Sequence, residues 1–163
     1  MFKGILVSIH ISPAAAAPVQ TIREARVVPG KGIEGDRYFS GTGTWSNHPG
    51  AGREVTLIEL EAIEAVKGES NIELAPQDAR RNVVTRGVPL NHLVGREFTI
   101  GPARFKGIRL CEPCTHLEGL TANGIKAALL HRGGLRTEVI QEGIIRPGDA
   151  IEAVRDSSTS SSS

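Results

Sequence analysis

The chain carries two cysteines, Cys111 and Cys114, within Arg109-Leu110-Cys111-Glu112-Pro113-Cys114-Thr115-His116. A thiolate is a strong nucleophile and a soft metal ligand, and nearby positive charge favours its formation. Three chemistries fit the spacing. A zinc site would use Cys111, Cys114 and His116, but a closed site needs a fourth ligand, which His10, His48, His92 or His131 would have to supply. A thioredoxin-like dithiol has this Cys-x-x-Cys spacing, yet it belongs at the start of a long helix in a parallel αβ fold, and here Gly119 interrupts the segment after the cysteines. The third is a single special thiolate at Cys114, with Arg109, His116, Arg80 and Arg132 as basic groups able to receive a large anionic cofactor. Against all three stands a plain alternative of two buried structural cysteines, since free cysteine is among the most buried residue types.

These residues depend on elements that the sequence outlines. Glu97 to Ile100 and Ala103 to Leu110 read as strands joined by a turn at Gly101-Pro102, and the second strand delivers the chain into the cysteine segment. Pro113 fixes φ just before Cys114. Asn82-Val83-Val84-Thr85 reads as another short strand. Its alternation puts Asn82 on the face of Arg80 and leaves Arg81 on the other. Either arginine could pair with Asp78, or offer a guanidinium fork to a phosphate or carboxylate. Val27 to Tyr38 is turn-rich, with Gly30, Gly32 and Gly35 leading to Asp36 and Arg37. No helix with dinucleotide-fingerprint spacing comes after it, so Asp36 is expected to brace a turn, and approach of the backbone to a ligand is the second option. Gly41 to Gly52, with Trp45 and His48, reads as a loop over a site.

Helical signals are fewer. Thr56 and Glu59 have capping-box spacing, with Val55 and Leu60 as a staple, so a helix is expected there with Leu60, Ile63 and Val66 inward and Gly68 as its stop. Glu61 and Glu64 would face solvent. A second helix is expected over Thr121 to His131, ended by Gly133-Gly134, which Arg132 and Arg136 bracket. Near the N-terminus Ile5, Val7, Ile9 and Ile11 alternate as on a half-buried strand. Leu135 to Ile140 and Asp149 to Val154 complete the strands, with Glu142-Gly143 as a turn. The expectation is a mainly β domain with a few helices over residues 1–155, followed by a disordered serine-rich tail over 156–163.

Composition narrows the partners. Nineteen Lys and Arg against 18 Asp and Glu leave a net charge of +1, so no broad polyanion surface and no nucleic acid partner are expected. The N-terminal Met-Phe-Lys, apolar run and Ala14 to Ala17 faintly resemble a secretory signal, but the run is short and holds Ser8 and His10. No segment reaches transmembrane length, and a cytoplasmic protein is expected.

Four blocks resemble a MOSC domain, the family named for the C-terminus of molybdenum cofactor sulfurases. They are Gly32-Ile33-Glu34-Gly35-Asp36-Arg37, Arg80-Arg81-Asn82-Val83-Val84-Thr85, Arg109 to Leu117, and Gly133-Gly134-Leu135-Arg136 with Gly148-Asp149. The resemblance runs from about Lys3 to Val154. It implies a compact β-barrel and a site for molybdenum cofactor (molybdopterin), with Cys114 rather than Cys111 as the molybdenum ligand. The family's Arg-x-Asn element falls on Arg80 and Asn82, which it implies would contact the cofactor. Arg81, Asp36, Arg37, Arg109, His116 and Arg132 join them as expected cofactor-binding residues. The resemblance implies one of two activities: reduction of N-hydroxylated or N-oxygenated small molecules with electrons from a separate donor protein, or sulfur transfer through a persulfide on Cys114 fed by a sulfur donor. A non-catalytic cofactor-binding module is the third option. The chain is expected to lack the pyridoxal-phosphate domain of sulfurases, a fused electron donor and the additional N-terminal domain of the mitochondrial amidoxime-reducing proteins, so part of the cofactor pocket is expected to be missing or supplied by a partner.

Overall fold

A computed structural model describes residues 3–12, 19–36, 54–70, 81–110 and 134–154. The expected helix at 121–131, the loop at 41–52 and the serine-rich tail lie outside the described residues, as do Cys111, Cys114, His116, Arg132, Arg80 and Arg37.

The described strands are β1 (Lys3–Ile11), β2 (Gln20–Ile22), β3 (Ala25–Val28), β4 (Gly32–Ile33), β5 (Val55–Glu59), β6 (Val83–Arg86), β7 (Glu97–Ile100), β8 (Ala103–Leu110), β9 (Leu135–Gln141), β10 (Gly143–Ile145) and β11 (Ala150–Ala153). One helix, α1 (Leu60–Ser70), comes after β5, and a 3-10 turn covers Leu90–Leu93. Strands β11, β7, β8, β9, β5, β6 and β1 are hydrogen-bonded in that order, and β1 returns to β11, which closes a seven-stranded barrel. Closure removes the free edges that an open sheet of this size would expose. Strand β2 extends the sheet beyond β1, and β10, β3 and β4 form a separate small sheet. All barrel pairings among the described strands are antiparallel except β5 with β6.

Alternation fills the barrel. Leu6, Ile9, Leu57, Val83, Phe98, Phe105, Leu135 and Ile151 are all fully buried in one apolar cluster. Phe98 and Phe105 are register partners across β7 and β8, and their rings stack with centroids 5.7 Å apart. The β7 and β8 strands and the Gly101-Pro102 turn between them match expectation.

Several expectations are corrected. Val55 to Glu59 is a strand, and the helix starts only at Leu60. Thr56 has no capping role, because its backbone lies in a sheet between β6 and β9, where β-branched Val55, Thr56 and Ile58 pack well. The helix also runs past Gly68, which nothing crowds, to Ser70. Glu61 and Glu64 do face solvent as expected, and each also has a partner there: Glu61 accepts from the Gly87 N–H at 2.8 Å, and Glu64 pairs with Arg86 at 3.4 Å. In β1 a register shift between Leu6 and Ser8 changes the inward set. Leu6, Ile9 and Ile11 are buried while Ile5 is exposed, so the expected simple alternation from Ile5 breaks at a bulge. Gly143 belongs to β10 and not to a turn.

Candidate functional site

Two of the described candidates, Asn82 and Arg109, lie on one row of cross-strand neighbours on the outer face of the barrel. Ile9, Val83, Leu57 and Leu135 point into the core, so the residues that alternate with them point outward. His10 is the register partner of Thr21 on β2. One rung beyond the Ile9–Val83 pair, His10 meets Asn82, and its N–H donates to the Asn82 carbonyl at 2.7 Å. One rung before the Leu57–Val83 pair, Thr56 meets Asn82. Thr56 is in turn partnered by Arg136 on β9, and Arg136 by Arg109 on β8. The row therefore reads Thr21, His10, Asn82, Thr56, Arg136, Arg109.

Its centre is fixed by hydrogen bonds. The Asn82 side chain is buried, and its Oδ1 accepts from the Thr56 N–H at 3.0 Å and from the Thr56 hydroxyl at 3.2 Å. The Asn82 N–H donates back to Thr56 Oγ1 at 3.1 Å, and Asn82 Nδ2 donates to the His10 carbonyl at 3.1 Å. One Nδ2 hydrogen is left over from this set, since an amide carries two. Asn82 thus holds β1, β5 and β6 together, and at most one of its donors is available to a ligand.

His10 is a second fixed point. Its Nε2 lies 2.8 Å from Ser8 Oγ and its Nδ1 lies 3.0 Å from Thr21 Oγ1. A neutral imidazole donates through one nitrogen and accepts through the other, and a hydroxyl can serve either role. Burial of the ring lowers its pKa from the ordinary 6.5, which favours that neutral form.

Asp36 anchors the same end of β1. It is 1% exposed, and its Oδ1 accepts from the N–H of Ser12, just beyond the strand, at 2.9 Å. Its own N–H donates to the Ile33 carbonyl at 3.0 Å. Asp36 therefore ties the turn after β4 to the end of β1. Arg81 sits beside Asn82, half-buried.

At the other end of the row Arg109 is exposed and Arg136 half-buried. The β8–β9 register shifts between Gly107 and Arg109, so that Ile108 has no partner of its own and Arg109 faces Arg136 directly. Bulges of this kind re-aim a side chain at the end of a strand. Local sequence marks Arg136 as a neighbour of the glycine pair inside the closing family block, Thr56 only as a helix cap and His10 only as a candidate zinc ligand. Their place on the row depends on strand register, for which no local signal exists.

Most candidates outside the described residues stand close to described site residues in sequence. Along the sequence, Arg80 is two residues before Asn82, Arg37 directly follows Asp36, Cys111 is two residues after Arg109, and Arg132 is four before Arg136. Among the described residues no group of His, Cys, Asp or Glu is arranged to hold a metal ion, and no helix is long and apolar enough to cross a membrane. The described part of the site thus offers guanidinium groups and amide donors, suited to the anionic and polar parts of a ligand.

Comparison with solved structures places this barrel among known ones. The chain is similar to the YuaD protein from Bacillus subtilis, with a TM-score of 0.78 at 18% identity, covering 94% of this chain and 98% of that one. It is similar to YiiM from Geobacillus stearothermophilus, with a TM-score of 0.71 at 15% identity over 93% of this chain and 75% of that one. YiiM from Escherichia coli gives a TM-score of 0.66 at 17% identity over 93% and 70%. At such identities the likeness concerns the fold. A search of curated proteins found no match. The model of the MOSC domain matches residues 45–152, which contain Asn82, Arg109, Cys114 and Arg136. The chain belongs to the MOSC domain family.

Proposed function

We propose that this protein binds molybdenum cofactor and reduces N-hydroxylated or N-oxygenated small molecules, with Cys114 as the molybdenum ligand. The observation that carries the reading is the row of cross-strand neighbours: the family's Arg-x-Asn block and the strand leading to its cysteine block fall on one line, from Asn82 through Thr56 and Arg136 to Arg109. Arg109, Arg136 and the spare Asn82 donor suit a phosphorylated pterin, which needs cations and amide-type donors. A soft, deprotonated cysteine suits a metal already held by sulfur. When bound, the cofactor would supply the redox chemistry. The chain's own residues would hold and orient it: Arg80, Arg109, His116 and Arg132 as cations, Asn82 as donor, and Asp36 and Arg37 as the support of the turn beside them.

The substrate is a small molecule, and the electrons come from a separate donor protein in a cytoplasmic setting. A second reading is favoured by the Cys-x-x-Cys spacing. In it the Cys114 thiolate takes the outer sulfur of a donor protein's persulfide, releasing the donor thiol, and passes it to an acceptor thiolate with return of the Cys114 thiolate.

The deciding experiment expresses wild type and Cys114→Ser in a host that makes molybdenum cofactor and measures metal content by mass spectrometry. Near-stoichiometric molybdenum in wild type and its loss in Cys114→Ser is the expected result. Absence of molybdenum from wild type overturns the reductase reading, and a persulfide on Cys114 would then be sought by intact-mass analysis under non-reducing conditions.

A further inference from the structure

We infer that Arg109 and Arg136 form a two-cation clamp for a phosphate monoester dianion on the outer face of the barrel. It rests on the cofactor reading only in taking Arg109 as a ligand-facing residue. The two side chains project from directly opposed positions of β8 and β9. Opposed residues in antiparallel strands have their Cβ atoms about 5 Å apart, and like charges placed so are destabilising unless something neutralises them. Nothing among the described residues does. Arg26, Arg86, Arg104 and Arg146 each pair with a carboxylate, whereas Arg109 and Arg136 have no such partner among the described residues. The carboxylate two residues along β9 from Arg136, Glu138, stands opposite Lys106, and Glu54 accepts from the Gly30 and Val139 N–H groups. The remaining neighbour, Thr56, spends its hydroxyl on Asn82.

The bulge at Ile108 gives a second reason. With unbroken alternation from Gly107, which faces Thr137, the next residue, Ile108, would oppose Arg136. The extra residue puts a guanidinium there in place of an apolar side chain. A carboxylate is satisfied by one guanidinium fork. A phosphate monoester carries close to two charges above its second ionisation, near pH 6, and has three terminal oxygens, so it can bridge two forks. That geometry selects a tetrahedral dianion over a carboxylate. Such a group is borne by a phosphorylated pterin and equally by other phosphorylated metabolites.

Inorganic phosphate titrated into the cofactor-free full chain by calorimetry, in low-chloride buffer at about pH 7.5 where the dianion predominates, tests the clamp. The variants are Arg109→Gln, Arg136→Gln and, as a control at an exposed arginine elsewhere, Arg96→Gln. One phosphate per chain is expected to bind wild type and Arg96→Gln in preference to acetate at equal ionic strength. Each clamp variant is expected to bind it roughly tenfold or more weakly, as for loss of a charge-assisted hydrogen-bonding partner. Thermal unfolding at low salt controls for folding, and both clamp variants should melt no lower than wild type because a repulsion is relieved. No saturable phosphate binding, equal binding of acetate, or undiminished binding by the clamp variants overturns the proposal. In protein from a cofactor-producing host, a lower pterin content in Arg136→Gln than in wild type would show that the clamp takes the cofactor's phosphoryl group. Equal pterin content with lost phosphate affinity would show that it takes another molecule's. Absence of pterin from wild type would count against the cofactor reading alone, and the phosphate titration would still decide the clamp.

Discussion

Asn82 and Thr56 are joined by three hydrogen bonds across the parallel pairing of β5 and β6, at 3.0, 3.2 and 3.1 Å. The same amide reaches the His10 carbonyl on β1. Asn82→Ala would strip the acceptor from the Thr56 N–H and the donor from the His10 carbonyl in a buried place. The expected cost is about 2–4 kcal/mol, since each unsatisfied buried group costs about 1–3. Asn82→Asp keeps the acceptor but turns an oxygen toward the His10 carbonyl, so it should recover only part of that. Urea unfolding reads both. A change within about 0.5 kcal/mol for Asn82→Ala, as at an ordinary surface site, would mean the amide is no structural latch.

The His10 ring predicts a pH dependence with a definite sign. Burial lowers its pKa below the ordinary 6.5, so below that pH the unfolded chain binds the proton more readily than the folded one. Stability from this group is present in full above pH 6.5 and declines as pH falls toward the folded-state value. Unfolding midpoints of wild type and His10→Gln from about pH 8 to about pH 5 should show a steeper acid loss in wild type. Parallel profiles would mean that other groups carry the acid sensitivity.

The features legible in the sequence are those with local causes. The β7 and β8 hairpin comes from alternation broken by Gly101-Pro102, and the family from short blocks with fixed internal spacing. The row of site residues is half visible there: Asn82, Arg109 and Arg136 stand inside those blocks, as do Asp36 and Arg81 outside the row. Thr56 and His10 escape a local reading because their roles come from partners far along the chain, and Arg136 stands inside a block while its opposition to Arg109 comes from register. Thr56 illustrates the conflict, since its spacing to Glu59 is a helix-start pattern while its bonds to Asn82 and its register with Arg136 require a strand. Tertiary pairing overrides a local signal. In β1 the bulge after Leu6 is hidden for the same reason, and it alone decides that Ile5 is outside and Leu6 inside.

Gly134 enters β9 with φ of +115°, and a Cβ there would run into the Leu57 carbonyl oxygen of β5. Both partners are backbone, so neither can swing away. Gly148 also has positive φ, at +95°, but nothing lies within 4 Å of the added carbon. The two positions separate steric exclusion from backbone strain. Gly148→Ala should cost about 1 kcal/mol, the lower end of the strain expected for a left-handed non-glycine residue. Gly134→Ala should cost more than about 3 kcal/mol or prevent folding, because strain and clash add. Equal costs in denaturant unfolding would show that β5 and β9 can separate without penalty.

Glu54 closes the same seam from the other side, and its charge should be a burden. Its Oε1 accepts from the Gly30 N–H at 2.9 Å and from the Val139 N–H at 3.0 Å, which ties the β3–β4 turn to β9. Burial raises its pKa above 4.5, the two backbone bonds oppose that, and Glu138 adds to the rise. A raised value means the folded protein holds the proton more tightly than the unfolded chain does. The stability it contributes is present in full below about pH 4.5 and is lost as pH rises through the folded value. Glu54→Gln preserves the acceptor oxygen and removes the charge. At neutral pH it should be as stable as wild type or more stable by up to about 1 kcal/mol, whereas Glu54→Ala, which orphans both N–H groups, should lose about 1–3 kcal/mol. Measured between about pH 4 and 7, the difference between wild type and Glu54→Gln should shrink toward the acid end. A difference that grows there instead would mean the carboxylate form is the one the fold prefers, with the two backbone bonds outweighing burial.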